Sequence, residues 1–207
     1  MYLSKLSLNL RSKEVRRDLA DCYQMHRSIY NCFPSKDEGG SGSIVYRVED
    51  YQNTLLNHRQ ITQVVLVVSE KEPGWHNLSD IYLSDNQIMQ YAEKIECIAN
   101  DMSFRFLLKA NPTKKNDGKR IALRTYDDRQ KWALRKAKDN GFELIDLSVR
   151  SDSIQKSDSK KGHELVFNTV YYEGFLRVTD VNLFKKALCV GIGSAKAFGY
   201  GLLTIAR

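Results

Sequence analysis

Residues 103–112, Ser-Phe-Arg-Phe-Leu-Leu-Lys-Ala-Asn-Pro, decide how the second half of the chain folds. Apolar side chains occupy every second position from Phe104 to Ala110, which predicts a β-strand with one buried face. The Asn-Pro pair at 111–112 ends that strand, because the residue before a proline avoids helical conformations and proline donates no hydrogen bond.

Five further elements are predicted after this strand. They are a helix over about 127–140, strands over 142–149 and 163–178, a helix over 182–190 and a last strand over 200–206. Thr125, with Asp128 three residues later, is a cap for the first of these helices, and Gly141 closes it. We interpret 151–162 as a polar loop between two strands. The order βαββαβ is typical of ferredoxin-like units.

The first half begins in the same way. Leu6, Leu8 and Leu10 alternate in a strand, and Ser12 caps a single helix that runs to about Cys32. Strands are predicted over 44–48 and 61–69. Residues 83–100 fit either a helix or a strand, and their spacing slightly favours the helix.

The element order predicts an α+β fold made of two tandem ferredoxin-like (βαββαβ) modules. No sequence repeat is visible between the halves, so this duplication depends on element order alone. The modules join within 84–102, and we place the domains at 1–90 and 91–207. The first then carries the helix with His26, and the second carries a basic stretch and a C-terminal glycine-rich loop.

Charge is distributed unevenly in this chain of 207 residues with net charge +7. Residues 1–100 hold 11 basic and 13 acidic side chains, whereas residues 101–207 hold 21 and 12. Between Arg105 and Lys138, 12 basic residues accompany only 3 acidic ones. Such a concentrated positive field attracts polyanions, of which nucleic acid is the commonest in the cytosol. The alternative is a solvated lysine-rich surface.

Composition excludes several classes of protein. The longest mostly apolar run, 64–68, is far shorter than the roughly 20 residues that a membrane span needs. The N-terminus lacks the pattern of a secretory signal, so we expect a cytoplasmic protein. The chain has four cysteines, whose scattered positions fit reduced thiols better than a disulfide framework. They are Cys22, Cys32, Cys97 and Cys189.

His26 allows two interpretations. On a continuous helix it lies within the apolar arc, where a core histidine is the ordinary case. Alternatively the helix lines a cleft between the modules, where an imidazole with a pKa near 6.5 can transfer protons. Cys22, four residues earlier, could complete half of a zinc site, but the sequence has no second ligand pair at suitable spacing. We therefore expect no metal and no cofactor.

Residues 191–201, Gly-Ile-Gly-Ser-Ala-Lys-Ala-Phe-Gly-Tyr-Gly, contain four glycines and one lysine. Glycine lets backbone N–H groups approach an anion closely, which favours contact with a phosphate backbone. The stretch is not a dinucleotide-binding motif, because Lys196 replaces the third glycine and the loop follows a helix. The alternative is a tight helix-to-strand connection, which would need only one or two glycines.

Six segments resemble the CasE family, the CRISPR repeat-processing endoribonucleases of the type I-E Cascade complex, within the RAMP superfamily. These segments are Met-Tyr-Leu-Ser-Lys at 1–5, Tyr-Gln-Met-His at 23–26, Phe-Pro at 33–34, Phe-Leu-Leu-Lys-Ala-Asn-Pro at 106–112, Lys-Arg at 119–120 and the glycine-rich stretch at 191–203. They occur in order along almost the whole chain. Residues 36–43, 70–100 and 150–162 carry little resemblance.

The resemblance implies two ferredoxin-like domains and metal-independent cleavage at the 3′ base of a repeat hairpin. Attack by the 2′-hydroxyl would leave a 2′,3′-cyclic phosphate and a 5′-hydroxyl, and the enzyme would stay on the guide RNA with the other Cascade subunits. The family's catalytic histidine corresponds to His26, its helix tyrosine to Tyr23 and its loop lysine to Lys196. Whether His26 acts as acid or base is open.

Candidate RNA-binding residues come from the basic stretch, the helix, the 151–162 segment and the glycine-rich loop. They are Arg27, Lys114, Lys115, Lys119, Arg120, Lys160, Lys161, Gly191, Gly193, Ser194 and Gly199. RNA duplexes are recognised largely through phosphates and shape, so lysine and arginine are the expected contacts. The second functional interpretation is a non-catalytic RNA-binding subunit in which His26 serves only the core.

Overall fold

Two four-stranded sheets and one two-stranded hairpin form the framework of the protein. A computed structural model describes residues 1–49, 62–158 and 164–207. Every neighbouring pair of strands in it is antiparallel. None of the described helices combines the length and the hydropathy that crossing a membrane requires.

The first sheet has the spatial order β2-β3-β1-β4. Its strands are β1 (Tyr2–Asn9), β2 (Ile44–Val48), β3 (Thr62–Ser69) and β4 (Leu83–Gln90). The first strand of this unit therefore lies between its third and fourth strands, and the second strand pairs with the third.

The second sheet has the order β10-β5-β9-β8, which repeats that arrangement. Its strands are β5 (Ser103–Ala110), β8 (Phe142–Asp158), β9 (Glu164–Val178) and β10 (Leu203–Ala206), with helices α4 (Tyr126–Asp139) and α5 (Val181–Val190). The predicted α+β architecture of two ferredoxin-like units is confirmed. The domain division after residue 90 stays a prediction.

The predicted single helix from Ser12 to Cys32 is wrong. The structure has two helices, α1 (Lys13–Ala20) and α2 (Cys22–Tyr30), separated by Asp21. Asp21 has an extended backbone, with φ −135° and ψ 109°, and its carboxylate accepts a hydrogen bond from the N–H of Tyr23 at 2.9 Å. Aspartate is a favoured N-cap, so this residue ends one helix and begins the next.

The slight preference for a helix over 83–100 is wrong for its first half. Residues 83–90 form β4, and only Tyr91–Glu96 are helical, as α3. All but the first residue of β4 are solvent-exposed, so this edge strand lacks the alternation that marks a buried face. A short 3-10 turn, Trp75–Asn77, lies between β3 and β4.

The predicted loop over 151–162 is wrong for residues 151–158, which are strand, and its residues 159–162 lie outside the described part of the chain. β8 continues to Asp158 and pairs with β9 as far as Asp158 opposite Glu164. Its register shifts between Ser151 and Ile154, and the polar sequence up to Asp158 belongs to an exposed arm of this strand. The last strand is also shorter than predicted, because it begins at residue 203 and not at 200.

A hairpin of β6 (Thr113–Asn116) and β7 (Lys119–Ala122) is inserted between β5 and α4. Its two-residue turn has positive φ at Asp117 (48°) and Gly118 (78°). Asp-Gly is a strongly preferred pair for a type I′ turn, whose twist matches that of the adjoining strands.

Each unit has its own apolar core, and β2 lies between them. Ile44 and Tyr46 on one face of β2 pack into the first core, below α1 and α2. Val45, on the opposite face, packs against Val68 of β3 and Leu202, which precedes β10. Strand alternation thus makes β2 the element that joins the two units.

Arg47, on the same face of β2 as Val45, is 2% exposed and completes this joint. Its Nη1 donates to the carbonyl oxygens of Leu107 and Leu202, both at 3.2 Å. Nη2 donates to Thr204 Oγ1 at 3.0 Å and to Glu49 at 2.6 Å, and Nε donates to Glu49 at 2.9 Å. All five guanidinium N–H groups are therefore used, which compensates for burying the charge.

We predict that Arg47→Met lowers the free energy of unfolding by about 3–5 kcal/mol, because Glu49 loses its partner in a desolvated site. The control is Arg177→Met, which breaks the ion pair with Glu143 between two half-exposed side chains and should cost at most about 1 kcal/mol. Urea unfolding at pH 7 measures both losses. Equal, small losses would show that Arg47 does not hold the units together.

Candidate active site

His26 lies on the side of α2 that faces the second unit. Its ring is half-buried among three aromatic rings, with centroids 4.1 Å from Tyr30, 6.3 Å from Tyr23 and 5.5 Å from Phe198. Phe198 belongs to the glycine-rich loop, 172 residues further along the chain. The histidine is therefore at the junction of the two units and not within the first core alone.

Burial sets the protonation of His26. Desolvation lowers the pKa of the imidazole below its usual value of about 6.5, and a hydrogen bond with the backbone of Ala197 opposes this in part. The Nδ1 atom is buried and has no hydrogen-bond partner. The lowered pKa favours the neutral imidazole in the free protein at pH 7.

Polar contacts hold α2 at both ends. At its start, Asp21 also accepts a hydrogen bond from the hydroxyl of Ser157, on β8 of the second unit, at 2.5 Å. Near its end, Ser28 donates to the buried carboxylate of Asp18 on α1, which also accepts from the Tyr82 hydroxyl at 2.7 Å. These carboxylates fix the helix between the first core and the β8 arm.

The glycine-rich loop leaves α5 and turns sharply before β10. A Cβ atom at Gly201 would lie 2.7 Å from the carbonyl oxygen of Ile192, and one at Gly191 would lie 2.8 Å from the carbonyl oxygen of Gly201. Both residues also have positive φ. Close packing explains these two glycines, so the tight-connection interpretation holds at the base of the loop.

The middle of the loop is a 3-10 turn, Lys196–Phe198, between the left-handed residues Ala195 and Gly199. The stem of Lys196 packs against the backbone at the loop base, since its Cγ is 3.0 Å from a Cβ built at Gly201. The turn that bears Lys196 thus also presents Phe198 to His26.

The loop also contacts the root of the β6–β7 hairpin. The Ser194 hydroxyl donates to the carbonyl oxygen of Asn111 at 3.1 Å and lies 3.5 Å from the Thr113 hydroxyl. Gly193 is exposed and touches Trp132 of α4, whereas Gly199 is buried against the ring of Tyr46. The loop therefore spans from the hairpin to His26.

The four candidate basic residues of the hairpin are all exposed and divide between its two faces. Lys115 pairs with Arg120 across the ribbon, on the face that also carries Thr113. Lys114 and Lys119 lie on the opposite face, because successive side chains of a strand alternate.

The remaining candidates have different settings. Arg27 is exposed on α2, next to His26, and its Nη1 donates weakly to Gln24 at 3.4 Å. Lys160 and Lys161 lie outside the described residues. Gly191, like Gly199, is buried. The structure thus brings His26, Tyr23 and the turn of Lys196 together and places the hairpin lysines at the far end of the same loop.

The described residues contain no group of three or more His, Cys, Asp or Glu side chains that could hold a metal ion. Cys22 lies instead in an apolar cluster with Phe167 and Tyr200, and burial raises the pKa of its thiol.

Sequence reasoning missed two aromatic residues beside His26 and a third, Tyr46, that packs against the glycine-rich loop. Tyr30 carried a usable signal, since residues four apart on a helix share a face. Phe198 stood in a stretch already singled out, but nothing in the sequence placed it beside α2. Tyr46 alternates with its neighbours as any strand residue does, so only the folded structure shows that it lies below the loop.

We predict that wild-type protein loses stability as pH falls from 7.5 to 5.5, and that His26→Gln removes part of this loss. Because the folded-state pKa is lowered, the unfolded chain binds a proton first, so the stability is present above about 6.5 and lost below it. Urea unfolding at both pH values measures the difference. His76→Gln, at an exposed site, is the control and should keep the wild-type dependence; identical behaviour of both variants would contradict the burial effect.

Two similar proteins and one solved structure agree on one family. CRISPR-associated endoribonuclease Cse3 of Thermus thermophilus is 31% identical over 219 residues, and the match covers 100% of both chains. The CRISPR system Cascade subunit CasE of Escherichia coli is 26% identical, covering 100% of this chain and 99% of that one. A solved structure of CRISPR endoribonuclease Cse3 bound to 19 nt RNA superposes with a TM-score of 0.83, at 31% identity and with 100% of both chains covered.

The family model described as CRISPR associated protein matches residues 1–207. The resemblance to CasE that the sequence segments indicated is thereby confirmed. The chain belongs to the CRISPR-associated protein family of the Cse3 and CasE endoribonucleases.

Proposed function

We propose that the protein is a metal-independent endoribonuclease that binds the hairpin of the CRISPR repeat and cleaves precursor CRISPR RNA at the 3′ base of the stem. The observation that carries this proposal is the contact between the rings of His26 and Phe198, whose centroids are 5.5 Å apart. It joins a proton-transferring group to a glycine-rich loop at the junction of the two units. The names of the relatives, an endoribonuclease and a Cascade subunit, support the same reaction.

The proposed chemistry is attack by the 2′-hydroxyl on the adjacent phosphate. The oxygen–phosphorus bond to the next nucleotide breaks, which leaves a 2′,3′-cyclic phosphate and a 5′-hydroxyl. One proton leaves the 2′-oxygen and one reaches the 5′-oxygen. His26 acts at one of these two positions, as general base or general acid, because its neutral imidazole can exchange protons near neutral pH.

The negative charge that builds on the phosphorus centre needs fixed positive partners. We assign this role to Lys196 and the neighbouring backbone amides, since preorganised donors at a developing charge contribute strongly to catalysis. Tyr23, one helical turn before His26, orients the nucleophile or donates a hydrogen bond to the phosphate. Its ring centroid lies 6.3 Å from that of His26, which leaves room for a reacting group beside both.

RNA binding belongs mainly to the second unit. Basic side chains on both faces of the β6–β7 hairpin can reach phosphates on both strands of an RNA stem. In this scheme the proposed domains 1–90 and 91–207 divide the work, with the catalytic helix on the first and most of the phosphate contacts on the second.

The product and the location follow from the same scheme. After cleavage the protein stays bound to the guide RNA and joins the other subunits of Cascade, as the name of the E. coli relative supports. We place this work in the cytoplasm, where the four cysteines would stay reduced, as they are in the structure.

We predict that His26→Ala lowers single-turnover cleavage of a repeat hairpin by about 10²–10⁴-fold while hairpin affinity stays near wild type. Denaturing gels measure the cleavage, and filter binding measures the affinity. His76→Ala, at an exposed histidine far along the chain, is the matched control and should cleave normally.

The same assay contains the outcomes that would contradict the proposal. Cleavage by a folded, RNA-binding His26→Ala protein within threefold of wild type would remove the catalytic assignment. Activity that disappears in excess EDTA and returns with Mg²⁺ would indicate a metal-dependent nuclease. Tight hairpin binding without any cleavage by the wild-type protein would favour the non-catalytic RNA-binding subunit.

We predict that replacing the four hairpin residues with alanine weakens hairpin binding and flattens its salt dependence. Each phosphate contact contributes roughly 0.7–0.9 to the slope of log affinity against log salt, so the quadruple variant should lose about 2–4 units. The double variants Lys115→Ala/Arg120→Ala and Lys114→Ala/Lys119→Ala should each lose about half. Single-turnover cleavage at saturating protein should remain near wild type.

The two double variants form each other's control. Loss of slope from one pair alone would show that only one face of the ribbon meets RNA. If the quadruple variant kept the wild-type slope of log affinity against log salt, the four side chains would be solvated and would not contact RNA. Collapse of saturated cleavage would place the hairpin at the scissile phosphate.

A further inference from the structure

Tyr46 carries a polar atom that has no function in the scheme above. It is 1% exposed, on the face of β2 that packs below α1 and α2. Its hydroxyl is buried and makes no hydrogen bond. Such a group costs free energy unless it is paired, and in native proteins it usually has a partner or an ordered water.

His26 carries the complementary unpaired atom. Its Nδ1 is also buried and also lacks a hydrogen bond, and in the neutral tautomer with the proton on Nε2 this atom is an acceptor. Among the described residues, the buried side-chain polar atoms without partners are these two and the hydroxyl of Ser12.

The same neighbours surround both groups. The His26 ring contacts Phe198, and a Cβ atom at the next residue, Gly199, would lie 3.3 Å from the Tyr46 ring. Tyr30 lies beside His26, with ring centroids 4.1 Å apart and the rings tilted by 50°, and it also acts electrostatically on Tyr46. The two unpaired atoms therefore lie behind one short turn of the glycine-rich loop.

We propose that Tyr46 is a positioning residue for His26, and that its hydroxyl, across one internal water molecule, is the hydrogen-bond partner of Nδ1. The effect of this hydrogen bond on cleavage rests on the proposed function. The hydrogen bond itself is a property of the free protein. Nothing about it requires RNA.

A hydroxyl suits this position because a catalytic histidine changes charge. Through the water it donates toward Nδ1 when that nitrogen carries no proton, and it accepts from the side of Nδ1–H when the imidazole is protonated. A carboxylate there would hold the histidine as a cation, and an apolar side chain would leave the cation unpaired. With Tyr46 as partner, the protonated imidazole can release the proton on Nε2 while Nδ1–H keeps its hydrogen bond.

Two other hydroxyls near Tyr46 are committed elsewhere. Beside the imidazole are the rings of Tyr23, Tyr30 and Phe198, and the backbone of Ala197. The titratable groups that act on Tyr46 are Cys22, Tyr30, Tyr82 and Tyr200. The hydroxyl of Tyr82 is committed to Asp18, and that of Tyr200 to Gln155 and Thr169.

The test is Tyr46→Phe, which removes one oxygen and keeps the ring. Heteronuclear NMR of ¹⁵N-labelled free protein gives the Nδ1 shift and the pKa of His26. We expect the Nδ1 signal to move and the pKa to fall further, because the protonated imidazole loses the stronger of the two hydrogen bonds. Single-turnover cleavage of the repeat hairpin should fall roughly 10- to 100-fold, and hairpin affinity should not change.

The control is Tyr172→Phe in the second core, which removes a hydroxyl that donates to the carbonyl of Arg129 at 3.2 Å. It should reduce stability without changing the His26 signals or cleavage.

The proposal is overturned if Tyr46→Phe leaves the His26 pKa and Nδ1 shift unchanged, or merely raises stability by removing an unpaired hydroxyl. It is also overturned if the Nδ1 shift of wild-type protein is that of a nitrogen without a hydrogen bond. Failure of the proposed function has a different signature. In that case His26→Ala still cleaves RNA, whereas Tyr46→Phe still shifts the His26 signals.

Discussion

The buried guanidinium of Arg47 is the interaction on which the site depends. It extends from β2 of the first unit to the backbone of β5 and to the segment that enters β10. The candidate active site contains α2 from one unit and the glycine-rich loop from the other. The distance between His26 and Phe198 is therefore set by how the units are held together, and no local feature of either unit fixes it.

The glycine-rich loop connects the candidate active site at this joint with the β6–β7 hairpin. Its base is fixed by close backbone packing at Gly201, its middle supports the aromatic contact with His26, and Ser194 ties it to the hairpin root. A loop packed this closely has few alternative conformations. In the proposed function, RNA binding at the hairpin and chemistry at His26 share this one support, which suits an enzyme that must place a single phosphate accurately.

Sequence reasoning predicted what local pattern determines. Alternation gave β5, and capping gave α4, because both depend on near neighbours. The break at Asp21 and the turn at 117–118 also have local signals in the sequence, which are an N-cap residue and an Asp-Gly pair. The contact of His26 with Phe198 had none, since residues 172 positions apart meet only after both sheets have formed. Family resemblance identified the histidine; the fold supplies its surroundings.

In the proposed function, the half-buried reacting group is separated from the exposed binding surface, and this separation has a physical consequence. Burial lowers the pKa of His26, which favours the neutral imidazole in the free protein. A phosphate anion beside the ring would favour the protonated form and raise that pKa again. The imidazole would then approach the range in which it both accepts and releases a proton efficiently, but only when RNA fills the cleft. The proposed contacts of the hairpin with RNA would supply that phosphate, so the hairpin would influence a histidine that it does not touch.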